Sequence, residues 1–431
     1  MENNMHLLIN KLKTLSALLL AVFVLSTAGC DGLLEVEDPG SIEEDELDDP
    51  RNETLMMNGV RGQFQYTHAY STPWTGQIAD ELVMEHTFVD YRPVAMRTVD
   101  ETNVMTENLF NFWTKSIMHA KHAVENLESF HGDEAWERHN MQKAKVYGGH
   151  SLIRYAETFC EGTIDVGEPK SSDELFAKAV DYFDDALQIA NDAEATDEVV
   201  QFEHLSNLGM ARAKLNLGEF EEAQQYAALV PEDFEMWLRY SDNTAREELW
   251  FYEQATAGRY ISPAPNFRHL DDPRIPHTEE PVVNATTGNE TTYQPFQPLN
   301  FDDWDPDAEN EIQDNTDVRF ATGLEAQYIE AEASFQEGDE EPALDLVNER
   351  RDFGGQDQVD YSGDELLEDL LDQKGRDFFL TNNRLADLRR FQNLYGIDNF
   401  PEGDHPIYAE PYGDVTCFPI PESEINANPN L

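Results

Sequence analysis

The 431-residue sequence predicts a mainly α-helical protein built from helical hairpins, with loop-rich insertions between them. Three observations support this fold class. Apolar residues recur at three- and four-residue steps over much of the chain, a hairpin pattern occurs twice, and one long segment is too rich in proline for long helices. Hydrophobic residues make up 40% of the chain and aromatic residues 11%, which suffices for a substantial core.

The N-terminal segment has the layout of a secretory signal peptide. Lys11 and Lys13 precede an apolar run, residues 15–25, that is too short to cross a bilayer. Small residues then lead to Cys30, a pattern that resembles a bacterial lipoprotein box. We therefore expect residues 1–29 to be a lipoprotein signal peptide and Cys30 to be the lipidated first residue of the mature chain. An ordinary signal peptide with an incidental cysteine is the alternative.

The sequence between residues 110 and 190 predicts three amphipathic helices. Residues 141–160 have helical period, and residues 171–190 open with Ser171 or Ser172 as the N-cap and with acids in the first turn. The helix predicted over residues 110–130 carries its apolar side chains on one face: Phe110, Trp113, Ile117, Ala120, Val124 and Leu127.

A hairpin pattern occurs twice further along the chain. Ala211 precedes Ala223 by twelve positions with Gly218 between them, and Ala331 precedes Ala343 by the same twelve positions with a glycine at the equivalent turn. These segments resemble tetratricopeptide repeats, in which paired small residues let two helices approach closely. We expect a helical scaffold over about residues 105–231 and 318–392, and an ordinary helical bundle is the alternative.

The sequence predicts irregular structure in two segments. Residues 232–317 are rich in Pro, Asn, Thr and aromatic residues, and closely spaced prolines exclude long helices there. Loop-rich insertions on a helical scaffold are where binding residues tend to lie. Residues 66–98 form a second aromatic stretch that we also expect to be irregular.

The charge balance is strongly acidic. Lys and Arg number 29 and Asp and Glu number 87, so the formal net charge is −58. The acids are spread along the whole chain, which favours adaptation to concentrated salt, where at ~1 M the Debye length falls to roughly 3 Å and repulsion is screened. Simple surface solubility is the alternative. Nucleic acid is excluded as a partner because no basic stripe exists to neutralise phosphates.

Two cysteines remain in the body, Cys160 and Cys417. They could form a disulfide in an oxidising compartment, or remain as two buried thiols. Because no framework of paired spacings is present, we expect free thiols.

Several motifs resemble the SusD/RagB family. "RFATGLEAQYIEAEASFQEGDEEPALDLVNERRDFG" (319–354) is similar to its C-terminal helical repeat, and "LEDLLDQKGRDFFLTNNRLADLRRFQ" (367–392) to the helix pair that ends in "DLRR". "CFPIPESEINANPNL" (417–431) resembles its terminal signature, and "LEVEDPGSI" after Cys30 also fits. The similarity covers most of the mature chain in the same order.

The resemblance implies a surface lipoprotein of the outer membrane with residues 30–431 as one domain. Such a protein would form a lid over a TonB-dependent transporter (SusC-like) and capture oligosaccharides or other nutrients for import. Residues 232–317 would be the ligand-binding insertion and residues 393–431 a packing tail. Asp387, Arg389 and Arg390 would pair in or beside the core.

A glycan site needs a flat aromatic platform with amides, carboxylates or arginine at its rim. Each candidate taken alone is more often a packing residue. As a set in polar, proline-rich loops they predict a binding site: Trp74, Tyr91, Arg92, Tyr293, Phe296, Asn300 and Trp304, with Asp302 as a further polar partner.

Metal and catalytic sites are not predicted. Asp303, Asp305 and Asp307 alternate as calcium ligands can, but the glycine of an EF-hand turn is missing and Pro306 intrudes, so a solvated acidic loop is expected. No phosphate loop, nucleophile elbow or metal-ligand cluster is present. We predict a binding protein without cofactor or catalysis. A surface scaffold that binds protein through its repeats and a lipid-anchored hydrolase remain as alternatives.

Overall fold

The structure is a computed structural model that describes residues 49–131 and 138–431. The predicted signal peptide and Cys30 lie outside the described residues. Residues Glu53–Leu431 form one compact unit. Its α-helices in the described residues are α1 Glu53–Ile78, α2 Tyr91–Ala95, α3 Val104–His131, α4 Arg138–Thr158, α5 Ser172–Asp192, α6 Asp197–Asn216, α7 Phe220–Ala227, α8 Gly323–Gln336, α9 Glu341–Phe353, α10 Asp364–Asp377, α11 Arg384–Arg390 and α12 Glu422–Ala427.

Helices that follow one another along the chain pack side by side from α3 to α7, and α7 to α10 continue the series. The hairpins α6–α7 and α8–α9 turn at Gly218 and Gly338, whose φ angles of 73° and 92° favour glycine. The mainly α-helical, tetratricopeptide-like scaffold predicted from the repeat is therefore confirmed. Ser171 is the N-cap of α5, where it forms a capping box with Glu174.

Two glycines allow close approach of three helices in the scaffold. The ring of Phe183, on α5, lies against Gly149 of α4 and Gly209 of α6. A Cβ atom at Gly149 would lie 2.7 Å from the ring, and one at Gly209 would overlap it. Phe183 thus fills the space that both glycines leave, and the three helices are locked in register around it.

Replacing Gly209 with alanine should therefore destabilise the protein, by about 1–3 kcal/mol, because the added methyl forces Phe183 out of its position. The matched control is Gly62→Ala in α1, where a Cβ would meet nothing within 4 Å. This control should be neutral or should stabilise by up to ~1 kcal/mol through helix propensity. Urea unfolding of both variants in the same salt measures the two changes, and equal effects would contradict the packing argument.

The insertion contains short strands that tie it to the scaffold. Strand β4 (Glu235–Leu238) pairs antiparallel with β8 (Val318–Thr322), so the insertion begins and ends side by side. Strand β1 (Leu82–Met84) pairs with β5 (Ile261–Pro263) and anchors its middle beside the end of α1. The other strands are β2 Glu161–Gly162, β3 Lys170–Ser171, β6 Val282–Val283 and β7 Glu290–Thr292.

The irregular conformation expected for residues 66–98 is wrong for its first part. Helix α1 continues through Pro73 to Ile78, and every residue from Thr67 to Ile78 is buried. Proline removes one backbone hydrogen bond from a helix, and here the Gln77 side chain donates to the Pro73 carbonyl at 2.8 Å. Burial of the whole segment outweighs the local cost of the proline, a tertiary effect that local sequence signals do not report.

A buried set of ion pairs joins the insertion to the C-terminal helices. The Asp377 carboxylate, at the end of α10, accepts hydrogen bonds from Arg350 at 2.7 and 2.9 Å and from Tyr328 at 2.6 Å. Arg274 of the insertion donates to it at 3.2 Å and also pairs with Asp272 at 2.6 Å. Arg274 and Asp377 are almost completely buried, so each charge depends on the others for its compensation.

The "DLRR" segment is buried as predicted. Asp387 accepts from Lys374 at 2.9 Å and from Arg390 at 2.7 Å, and Arg390 also pairs with Glu332. Burial acts to raise the pKa of Asp387, but the two cations outweigh it and lower the pKa to about 2. Arg389 donates to two backbone carbonyls at the end of α4. The motif therefore joins α11 to α8, α10 and α4.

The prediction of free thiols is wrong, because Cys160 and Cys417 form a disulfide with a Cα–Cα distance of 5.2 Å. The chain brings them together through backbone contacts: the Cys160 N–H donates to the Phe418 carbonyl at 3.0 Å, and the Phe418 N–H donates to the Thr158 carbonyl at 2.9 Å. These contacts join residues far apart in the chain, so sequence spacing did not indicate them. The bond ties the C-terminal tail to the end of α4.

Replacing both cysteines, as Cys160→Ser with Cys417→Ser, should lower the free energy of unfolding by about 2–5 kcal/mol, since the bridge closes a long loop in the unfolded chain. Urea unfolding of the mature protein with and without a thiol reductant measures the same quantity independently. A double variant that unfolds like the oxidised parent would contradict a stabilising bridge.

Candidate functional site

Seven aromatic residues form a continuous ring-to-ring series that we call the aromatic strip. They come from α1, the loop before α2, α2, α3 and the insertion: Tyr66, Tyr70, Trp74, Phe88, Tyr91, Phe112 and Trp250. Each ring contacts at least one other ring of the strip at a centroid distance of 4.3–6.2 Å. The strip therefore brings together parts of the chain that are up to 184 positions apart, from Tyr66 to Trp250 (250 − 66 = 184).

Helix α1 positions the first half of the strip. Tyr66, Tyr70 and Trp74 follow one another at four-residue steps, which places them on one face of a helix. The Tyr66 and Tyr70 rings are stacked at 26° with centroids 6.2 Å apart. Trp250 reaches this face from the insertion, with its ring 4.3 Å from Tyr70 and 5.8 Å from Trp74.

The loop after β1 and helix α2 supply the other end of the aromatic strip. The Tyr91 ring lies 4.6 Å from Trp74 and 5.0 Å from Phe88, in edge-to-face contacts. His86 lies against Tyr91 at 4.7 Å. Burial raises the pKa of Tyr91, so its hydroxyl remains a neutral hydrogen-bond donor at physiological pH.

The strip has a buried layer and an accessible layer. Trp74 is 0% exposed and Tyr70 is also buried, so these two rings support the others and do not face solvent. Tyr66, Phe112, Trp250 and Tyr91 are half-buried, and Phe88 is 47% exposed. The accessible surface is thus a row of ring faces and edges on a rigid aromatic base.

Arginines lie at both ends of the strip. The guanidinium of Arg246 lies 4.4 Å from the centre of the Tyr66 ring, within the range of a cation–π contact. At the other end Arg92 lies 4.8 Å from the Tyr408 ring and pairs with Glu410 at 2.5 Å. Polar groups therefore flank an apolar surface, as in a site that binds an amphipathic ligand.

The residues predicted for a binding site fall into separate places. Trp74 and Tyr91 belong to the strip, and Arg92 lies at its edge. Phe296 and Asn300 are buried, and Asn300 donates to the Asp377 backbone carbonyl at 2.5 Å, which is a structural contact.

The two remaining aromatic residues of the predicted set lie elsewhere in the insertion. Tyr293 lies under the Arg268 guanidinium, at 4.7 Å, beside two histidines. Trp304 stacks on Phe353.

Sequence reasoning missed four accessible members of the strip: Tyr66, Phe88, Phe112 and Trp250. A signal for the first existed, since "YTHAYSTPW" repeats an aromatic residue every four positions. Trp250 has no such signal, because only the path of the insertion brings it to α1. Asp302 is exposed in the loop before Trp304, away from the strip in the chain.

In the described residues, no group of three or more His, Cys, Asp or Glu residues has an arrangement that could hold a metal ion. Among the same residues no helix has the length and apolar character needed to span a membrane.

Several solved structures have the same fold as this chain. Solved structures with 12–14% sequence identity share the fold with TM-scores of 0.65–0.66: a SusD-like carbohydrate binding protein from Bacteroides vulgatus, a SusD superfamily protein from Parabacteroides distasonis and surface glycan-binding protein A from Bacteroides uniformis. They cover 88%, 91% and 89% of this chain and 97%, 99% and 99% of their own chains.

Residues 283–431 match the model of the SusD family, SusD_RagB. No curated protein matches the chain. The matched segment and the shared fold agree with the resemblance seen in the sequence: residues 283–431 match the SusD family, and the fold is that of SusD-like structures.

One buried acid next to the end of α1 has a strongly shifted pKa. Glu81 is 1% exposed, and burial raises its pKa to about 8 although the Leu380 N–H donates to it at 3.0 Å. In the unfolded chain its pKa is near 4.5. Between these values the folded protein holds one proton more than the unfolded protein, so this group lowers stability as pH rises.

In the parent, Glu81 should therefore lower the free energy of unfolding by about 1.4 kcal/mol for each pH unit between pH 5 and 8. Glu81→Gln should abolish this decrease. The matched control is Glu128→Gln, which removes one charge from an exposed position of α3. Urea midpoints measured from pH 5 to 9 should diverge for Glu81→Gln and the parent as pH rises, and should run parallel for the control. Parallel curves for both variants would show that Glu81 is ionised in the folded protein.

Proposed function

We propose that this chain is a cell-surface lipoprotein that captures glycan at the aromatic strip, without catalysis, and passes it to a TonB-dependent outer-membrane transporter. The observation that carries the proposal is the strip itself. Pyranose rings present flat C–H faces, and these bind to aromatic faces while their hydroxyls bind polar groups at the rim.

The geometry of the strip suits a chain-like ligand. Its accessible rings form a row rather than a closed pocket, so successive sugar units would meet Phe112 and Tyr66, then Trp250, then Tyr91 and Phe88. The buried rings of Tyr70 and Trp74 hold this row in place, which reduces the entropy that binding would otherwise lose. Arg246 and Tyr91 supply polar contacts at opposite ends.

Three further observations support the location and the ligand class. Structures with the same fold include proteins described as carbohydrate-binding and glycan-binding. The Cys160–Cys417 disulfide is typical of an oxidising, extracytoplasmic compartment. The lipoprotein box at Cys30 would provide the membrane anchor.

Burial also raises the pKa values of Asp302 and Glu330, but the acid with the largest rise, Glu81, is not placed to act on a glycan at the strip. A glycoside hydrolase needs an accessible acid with a raised pKa and a second carboxylate at a fixed distance. Glu81 has the raised pKa, but its carboxyl group is buried and accepts the Leu380 N–H, so it does not reach a ligand on the strip.

Trp250→Ala should weaken binding of the cognate glycan at least tenfold, about 1.4 kcal/mol, because it removes the central accessible ring of the strip. The panel of probes is laminarin, xylan, galactomannan, xyloglucan, alginate and polygalacturonate, screened by affinity electrophoresis, with Kd by calorimetry for those that bind. The matched control is Trp237→Ala, a half-buried tryptophan of β4 outside the strip, which should bind as the parent does.

Circular dichroism of both variants is measured to check that the fold is intact. Measurements at low and at ~1 M salt separate contact energies from the long-range repulsion of the acidic surface. Absence of binding to every probe would contradict glycan capture and favour the protein-binding scaffold. Release of reducing sugar from any probe by the pure protein would favour a hydrolase. Copurification of a β-barrel partner from detergent extracts tests transfer to a transporter.

A further inference from the structure

Arg246 lies at the end of the aromatic strip that α1 and α3 form. Its guanidinium lies over the Tyr66 ring, 4.4 Å from the ring centre, and 5.9 Å from the centre of the Phe112 ring. Both rings belong to the accessible layer of the strip. Among the described residues no carboxylate oxygen lies within 4.0 Å of this guanidinium, and no protein group accepts a hydrogen bond from it. A cation is thus held at the strip with its N–H donors free.

In the described residues, the other arginines that lie over aromatic rings are all held by protein acceptors. Arg239 and Arg319, which lie over Trp237, each pair with a carboxylate. Arg268, which lies over Tyr293, donates to a backbone carbonyl at 2.7 Å. The remaining members of this group also donate to a carboxylate or a carbonyl: Arg92, Arg97, Arg350, Arg384 and Arg390. Since Asp and Glu number 87 against 29 Lys and Arg, an arginine without such a partner is not explained by a shortage of acids.

The loop around Arg246 is closed by its own hydrogen bonds. The Ser241 N–H donates to the Glu247 carbonyl at 2.9 Å, and the Glu247 N–H donates to the Thr244 carbonyl at 2.8 Å. The Glu247 carboxylate follows Arg246 in the chain, but it accepts from the Ser241 hydroxyl at 2.6 Å and from the Asn243 amide at 3.3 Å. The adjacent acid is therefore turned into its own loop, and the positive charge of Arg246 stays available at the strip.

The two ends of the strip differ in charge. Burial raises the pKa of Tyr66, and the charged group that acts against this rise is Arg246. At the other end burial raises the pKa of Tyr91, and the carboxylates of Glu253 and Asp90 raise it further. The arginine at that end is paired with a carboxylate at 2.5 Å. A negatively charged ligand group therefore fits the Tyr66 end and is repelled at the Tyr91 end.

We propose that the strip binds an acidic polysaccharide and that Arg246 holds the carboxylate of one of its sugar units. The inference rests on the proposed function of the strip and names its class of ligand. A guanidinium suits a carboxylate because two of its N–H groups, in one plane, donate to the two oxygens. The unit that carries this carboxylate lies at the Tyr66 and Phe112 end, and the next unit meets Trp250. An uncharged polysaccharide gains only the contacts with the rings.

The test compares an acidic polysaccharide with its uncharged form. The probes are polygalacturonate and alginate, each also prepared in a carboxyl-reduced form in which the carboxylates are converted to hydroxymethyl groups. Kd is measured by calorimetry at ~1 M salt, where repulsion between a polyanion and the acidic surface is screened. The parent should bind at least one acidic probe about tenfold or more tightly than its reduced form, since a hydrogen-bonded charge pair is present in one case only.

Arg246→Gln should weaken binding of that acidic probe about tenfold or more and should change binding of the reduced form by less than about threefold. Arg246→Lys should keep part of the affinity, because the charge remains and the planar pair of donors is lost. The matched control is Lys178→Gln, which removes one positive charge from α5 and should bind both forms as the parent does. Trp250→Ala should weaken both forms, because it removes a ring of the strip and no charge.

Arg246 is exposed, so its replacement should leave the fold intact, and circular dichroism of each variant checks this. Equal affinity of the parent for an acidic probe and its reduced form would overturn the inference and leave glycan capture intact. The same holds if Arg246→Gln binds the acidic probe as the parent does, or loses equal affinity for both forms. Binding of uncharged members of the panel alone would also overturn it. Absence of binding to every probe would instead contradict the proposed function.

Discussion

The ion cluster around Asp377 is the interaction that fixes the insertion against the C-terminal helices. Arg274 reaches it from the insertion, Tyr328 from α8 and Arg350 from α9, and all converge on one carboxylate at the end of α10. Charges buried in this way are tolerated only when every partner is present, because a single unpaired ion inside the protein costs several kcal/mol. The cluster therefore allows one position of the insertion relative to the C-terminal helices, and that position sets where its aromatic residues lie.

The aromatic strip uses the helical scaffold as its base. The strip is built outward from α1, whose buried rings at four-residue steps form a base onto which Trp250, Tyr91 and Phe88 pack. A rigid base under the accessible rings suits the proposed glycan binding, because little side-chain freedom would be lost when a ligand binds.

The charged residues are arranged differently in the interior and at the surface. Buried arginines such as Arg274 and Arg390 are matched by buried carboxylates, so the interior carries compensated charge. The excess of acids that gives the net charge of −58 lies elsewhere, and its mutual repulsion weakens as salt shortens the Debye length to roughly 3 Å at ~1 M. The predicted adaptation to salt thus concerns the surface, while the cluster that positions the insertion is shielded from solvent ions by burial.

Local signals in the sequence were enough to predict the helical scaffold, the hairpins at Gly218 and Gly338 and the loop-rich insertion, because periodicity and turn residues depend on near neighbours in the chain. The "DLRR" segment lies within residues 283–431, which match the SusD family. Of the residues predicted for a binding site, Tyr91 belongs to the aromatic strip and Arg92 follows it in the chain, whereas Trp74, which was treated as accessible, is buried. Tertiary contacts alone place Pro73 inside a helix, join Cys160 to Cys417, and bring the Trp250 ring against Tyr70 of α1. These three outcomes depend on contacts between residues distant in the chain, whose burial outweighs local preference, and no local pattern of residue types encodes them.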